Sequence, residues 1–83
     1  SSPMHELGLT KNIVAIVTEH AKGRQVKRIC LSVGPQACVE SRALEFCFGI
    51  VAEGTVVENA TLEIVSAEGD TFLIKEFETE EAA

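Results

Sequence analysis

The chain is 83 residues long, enough for one modest hydrophobic core and too short for a second. Apolar residues make up 46% of it, so it can fold without covalent staples, and its formal charge of −6 sets its surface against nucleic acid. No apolar run approaches the roughly 20 residues that span a bilayer, and no basic, apolar, small-residue signal segment opens the chain, so no membrane association and a cytoplasmic location are expected.

The first predicted element is an amphipathic helix. Leu9, Ile13, Ile16, Val17 and Ala21 recur at helical spacing from Leu7 onward, and Gly23 ends the pattern. Ser2 is a candidate cap with Pro3 in the first turn, and Glu6 near the start suits the helix dipole. Next, Val26–Val33 alternates Ile29, Leu31 and Val33 with Arg28, Cys30 and Ser32, as a half-buried strand requires, and Gly34-Pro35 stops it.

A second helix is expected from Ser41 to Ala52, with Gly54 as its stop. Leu44, Cys47, Phe48 and Val51 make one face. Phe46 and Ile50 fall on roughly the opposite side, so the helix is either buried twice or keeps a patch for a partner or a second copy. Thr61–Val65 and Thr71–Lys75 read as two further strands, and the short Ser66–Asp70 link makes an antiparallel hairpin the simplest pairing. The tail from Glu76 reads as solvated and frayed at its end. The order α-β-α-β-β predicts an α+β fold, a small three-stranded sheet with two helices packed on it.

Material for catalysis is sparse. The chain has no Tyr or Trp, two His and no glycine-rich phosphate loop, and no local signature supports a Cys–His pair, so no enzyme is expected. Cys30, Cys38 and Cys47 form neither a C-x-x-C nor a disulfide framework and read as small thiols, buried or half-buried, in a reducing compartment. His20, about three turns beyond Leu9, reads as a satisfied, partly buried histidine near the helix end. His5 differs because of its backbone. The first helical turn leaves N–H groups without intrahelical partners, and such nitrogens with an imidazole form a compact planar set that favours Ni(II) or Cu(II) over Zn(II). One His followed by Glu is weak by itself, and an exposed His in a capping turn is the plainer alternative. Fifteen residues at 1.5 Å each separate His5 from His20 by roughly 22 Å, too far to share a metal within one chain.

The segments "MHELGLTKNIVAIVTEHAKGRQVKRICLSVG", "VESRALEFCFGIVAEGT" and "ATLEI", with "FLIKEFE" from Phe72 to Glu78, strongly resemble the HypA/HybF family of hydrogenase nickel-incorporation accessory proteins. The most telling pieces are Met4-His5-Glu6-Leu7 and Glu53-Gly54-Thr55. The resemblance implies a nickel metallochaperone for [NiFe]-hydrogenase, and in some organisms urease, maturation. It implies Ni(II) held by the His5 imidazole with nitrogens of Met4 and Glu6, and as partners a nickel-handling GTPase and the hydrogenase large-subunit precursor.

Two departures accompany the resemblance. The family inserts a zinc-binding domain with two C-x-x-C pairs between its last two strands. Here that stretch is the short Ser66–Asp70 link, so residues 4–83 are expected to form a single nickel-binding domain without structural zinc. Ser1-Ser2-Pro3 reads as an addition, a cloning remnant in preference to a native extension, which turns the Met4 amine into an amide and removes one family-type ligand; Pro3 offers no N–H in its place. An interaction module that keeps the fold without metal delivery, docking or dimerising through Phe46 and Ile50, is the competing expectation.

Overall fold

The computed structural model describes residues 3–80. Helix α1 (Pro3–Ala21) leads through a tight turn to strand β1 (Val26–Val33). A single 3₁₀ turn (Pro35–Ala37) precedes helix α2 (Ser41–Val51), and strands β2 (Thr61–Ser66) and β3 (Phe72–Thr79) follow. The fold is α+β, with both helices contributing to the core on one face of a three-stranded sheet. No helix among the described residues is long and apolar enough to cross a membrane.

The sheet order is β2-β1-β3, with β1 parallel to β2 and antiparallel to β3. This corrects the expected hairpin: β2 and β3 flank β1 instead of pairing with each other. The cause lies in burial. Ile29 and Leu31 are fully enclosed, as a central strand requires, whereas β2 and β3 alternate between half-buried and exposed positions. Parallel β1 and β2 are joined by α2 as a crossover. The link after Ser66 then steps over the end of β1, about two strand spacings or ~10 Å, well within the reach of five residues. Its Ala67 N–H donates to Val33 O (3.0 Å), while Gly34 N–H donates to Thr71 O (2.8 Å) and Gln36 N–H to Gly69 O (2.8 Å).

α1 begins earlier than its hydrophobic pattern, at Pro3; the Ser2 cap lies outside the described residues. It ends through Lys22 and Gly23, both at positive φ (52° and 86°), with Arg24 N–H closing on Ala21 O at 3.1 Å. The core gathers Ile13, Val14, Val17 and Ala21 from α1, Ile29 and Leu31 from β1, and Leu44 and Phe48 from α2. Each of these side chains larger than Ala21 contributes on the order of 1.5–3 kcal/mol through burial. Thr55 closes the turn after α2: its Oγ1 donates to Ala52 O (2.7 Å) and accepts from Val57 N–H (3.1 Å), seating Val57 in the core. That accounts for Gly54, at φ 78°, and Thr55 of the Glu53-Gly54-Thr55 piece as a helix stop and turn.

β3 runs four residues beyond the expected Lys75, so Glu76 and Glu78 are strand residues and not part of a tail; the end expected to fray lies outside the described residues. They stand on the sheet face opposite the core and surround Arg28 together with Glu63. Arg28 Nη1 donates to Glu63 (2.6 Å), Nη2 to Glu76 (3.0 Å) and Nε to Glu78. Hydrogen bonding to the guanidinium, reinforced by its charge, holds the Glu78 carboxyl below its ordinary value, and the same bonds push Arg28 further up.

Candidate metal centre

The candidate site lies at the opening of α1, where Met4 and His5 fall in the first turn and their amides have no partner carbonyl within the helix. The two side chains that follow Met4 part company. His5 is exposed, and Glu6 is fully buried. The helical spacing explains the difference, because Glu6, Thr10, Ile13, Val17 and Ala21 lie on one stripe and that stripe is the buried one.

Inside, Glu6 Oε2 accepts the backbone N–H of Glu40 at 3.1 Å. Glu40 is the N-cap of α2, and its own carboxylate accepts the Ala43 N–H at 2.6 Å. Thr10 Oγ1 donates to the Glu6 carbonyl at 2.7 Å, which fixes the first turn from the next one. The first turn of α1 is therefore fastened to the start of α2, and His5 is presented to solvent from a fixed base. Of the Met4-His5-Glu6 set, His5 offers its imidazole outward, whereas Glu6 has its carboxylate committed to α2.

Among the described residues no three His, Cys, Asp or Glu side chains converge on a metal-sized site. His20 takes no part. α1 runs unbroken between the two histidines, keeping them roughly 22 Å apart. His20 is exposed, not partly buried as its spacing suggested, because it lies on the margin of the core stripe beside exposed Ile16. It is satisfied nonetheless: Nδ1–H donates to Ile16 O, one turn back, at 2.8 Å.

Cys30 and Cys47 are buried, and Cys38 is exposed; all three are free thiols. Phe46 and Ile50 stand on the outer face of α2, 71% and 53% exposed, so the core covers only the Leu44/Phe48 side. The Glu6–Glu40 contact is what the sequence reading missed, although the four-residue step from Glu6 to Thr10 placed both on the apolar stripe.

A family profile described as "Hydrogenase/urease nickel incorporation, metallochaperone, hypA" matches residues 4–72. The hydrogenase maturation factor HypA of Nostoc punctiforme is 54% identical over 66 residues, which cover 80% of this chain and 58% of that protein. HypA of Legionella pneumophila strain Lens is 43% identical over 70 residues, covering 81% and 62%. The chain thus spans about three fifths of the length of the curated relatives it matches. A solution structure of a HypA protein superposes with a TM-score of 0.78 at 17% identity, covering 96% of this chain and 98% of that one. The solution structure of the Ni metallochaperone HypA from Helicobacter pylori gives 0.67 at 16%, covering 92% and 93%. At such identities the two structures speak for the fold.

Proposed function

The chain belongs to the HypA family of hydrogenase and urease nickel-incorporation proteins, and from that premise we propose that it is a nickel-carrying domain that binds Ni(II) at the start of α1 and passes it to a maturation partner. The His5 imidazole is the anchoring ligand, and main-chain nitrogens of Met4, His5 and Glu6 complete a planar set. The observation that carries this reading is the exposure of His5 next to a buried, α2-bound Glu6. Such an arrangement holds the ligand's backbone steady and leaves its side chain accessible to an incoming ion and to the acceptor protein.

On this reading nickel is cargo and not a catalyst, and the domain carries the ion to its acceptor. Its partners, on this reading, are the nickel-handling GTPase and the hydrogenase large-subunit precursor of the same maturation route. On this reading the chain carries no structural zinc, for it has no C-x-x-C pair to hold one.

Titrating Ni(II) into the chain, its His5→Ala variant and a form starting at Met4 tests the site. The reading requires His5→Ala to lose specific binding and the Met4 form to bind more tightly than the extended chain. Equal binding by all three would remove both His5 and the amine from the site. A second reading, an interaction module working through α2, is favoured by the 71% exposure of Phe46 beside Ile50.

A further inference from the structure

β3 is an edge strand with one side bonded to β1 and the other unpartnered within the sheet. Beside it runs a groove of about 420 Å³ between α1, which contributes Leu9, Asn12, Ile13 and Ile16, and residues 72–74 of β3. Ile16, on the α1 side of the groove, is 47% exposed. A lysine and a bulge on an edge ordinarily discourage pairing with another chain. β3 has both, since its register against β1 shifts between Cys30↔Glu76 and Leu31↔Ile74, leaving Lys75 as the extra residue.

The bulge nevertheless selects one partner. Phe72, Ile74, Phe77 and Thr79 face the core side, and Leu73, Glu76 and Glu78 face the open side, as their β1 partners fix. When two β3 strands run antiparallel with Lys75 opposite Glu76, then Ile74 meets Phe77, Leu73 meets Glu78 and Phe72 meets Thr79. These last three pairs each unite residues of the same face, and symmetry makes the Lys75–Glu76 pair twice. Centring the pairing on Lys75 sets Ile74 against Glu76, and centring it on Glu76 sets Ile74 against Glu78; both join a core face to an open one. Glu76, though bonded to Arg28, keeps 55% of its side chain exposed and stays within reach of a facing lysine.

We propose that two copies of this chain pair edge to edge through β3 about a two-fold axis, forming one six-stranded sheet with Lys75 of each copy opposite Glu76 of the other. The second strand fills the groove under Ile16, and its own Ile16 covers the first.

The test is the oligomeric state of the chain by sedimentation equilibrium and native mass spectrometry at tens of micromolar. A dimer is expected, weakened roughly tenfold or more by Lys75→Glu and likewise by Glu76→Lys, because each change makes two like-charge pairs. An equimolar mixture of these two variants should recover a heterodimer, since both facing pairs are then opposite in charge. Lys11→Glu, the same change of charge on the exposed side of α1, should leave the dimer intact. Circular dichroism reports whether each variant is folded; should Glu76→Lys not fold beside Arg28, the contrast between Lys75→Glu and Lys11→Glu decides. A monomeric chain overturns the proposal. So does a dimer indifferent to Lys75→Glu, which would place self-association elsewhere, with Phe46 and Ile50 the next surface to replace.

Discussion

The carboxylate of Glu6, in the second residue after Met4, accepts the backbone N–H of Glu40 at 3.1 Å, joining the first turn of α1 to the N-cap of α2 across 34 residues of sequence. The contact is buried on the Glu6 side, so its loss leaves a backbone donor poorly satisfied. Glu6→Ala is expected to lower stability by about 1–3 kcal/mol in urea melts. Glu6→Gln keeps an acceptor oxygen and should lose less. If the contact also steadies the base of His5, hydrogen exchange at the start of α1 should quicken in Glu6→Ala more than in a core variant of equal instability.

The link between β2 and β3 makes a sharper demand at one position. A Cβ built on Gly34 would lie 2.3 Å from the Gly69 carbonyl oxygen and 2.6 Å from that of Glu68, both main-chain atoms. No side-chain rotation relieves such a clash. Gly34→Ala should therefore push the 68–71 link off β1 at a cost of about 1–3 kcal/mol, the usual range for overpacking, with the loss read from thermal or urea unfolding. Gly8→Ala, in open space on α1, should be neutral or stabilising.

The Arg28 cluster makes stability depend on acid pH. Glu78 has a folded-state pKa held below its unfolded value by the guanidinium. Its contribution is therefore present above the unfolded value, near 4.5, and fades as pH falls through the lower folded one. Wild-type stability should decline in that window. In Arg28→Met three carboxylates are left facing one another, and protonation relieves their repulsion, so the variant should gain stability over the same descent. Urea midpoints measured from pH 7 down to pH 3 separate the two slopes.

The outer face of α2 is expected to be dispensable for folding. Phe46 and Ile50 are mostly exposed, whereas Leu44 on the opposite side is fully buried. Replacing both outward residues by Ser should change stability by no more than about 0.5–1 kcal/mol, while Leu44→Ala should remove about 2–5 kcal/mol. If the face docks a maturation partner, the double variant will keep its fold and its nickel but fail to be retained by that partner in a binding assay.

Much of this was legible in the chain, and the exceptions share a cause. β1 declared itself through Ile29, Leu31 and Val33 alternating with Arg28, Cys30 and Ser32, and α2 through Leu44, Cys47 and Phe48. The position of β1 between its neighbours did not, because a five-residue, glycine-containing link can turn a hairpin or step over one strand equally well. Strand order in turn decides that Glu63, Glu76 and Glu78 meet Arg28, so the cluster was invisible until the order was known. Glu6 was legible by spacing and obscured by charge: a carboxylate in the first turn reads as a partner of the helix dipole, although its stripe with Thr10 and Ile13 points inward.

Nickel bound at His5, as proposed, would carry its own pH signature. An imidazole must be neutral and a main-chain amide must lose its proton before either can bind a metal through nitrogen, so uptake releases protons and affinity must rise with pH. Titrations at stepwise higher pH should show tightening binding and growing proton release, with a square-planar Ni(II) spectrum. His5→Ala should weaken binding by more than the ten- to hundredfold that loss of an outer-shell partner typically causes. His20→Ala, with its Nδ1–H already bonded to Ile16 O at the far end of α1, should leave both the affinity and its pH profile unchanged. An equal effect of the two substitutions would mean that nickel is held by scattered surface imidazoles and not by the opening of α1.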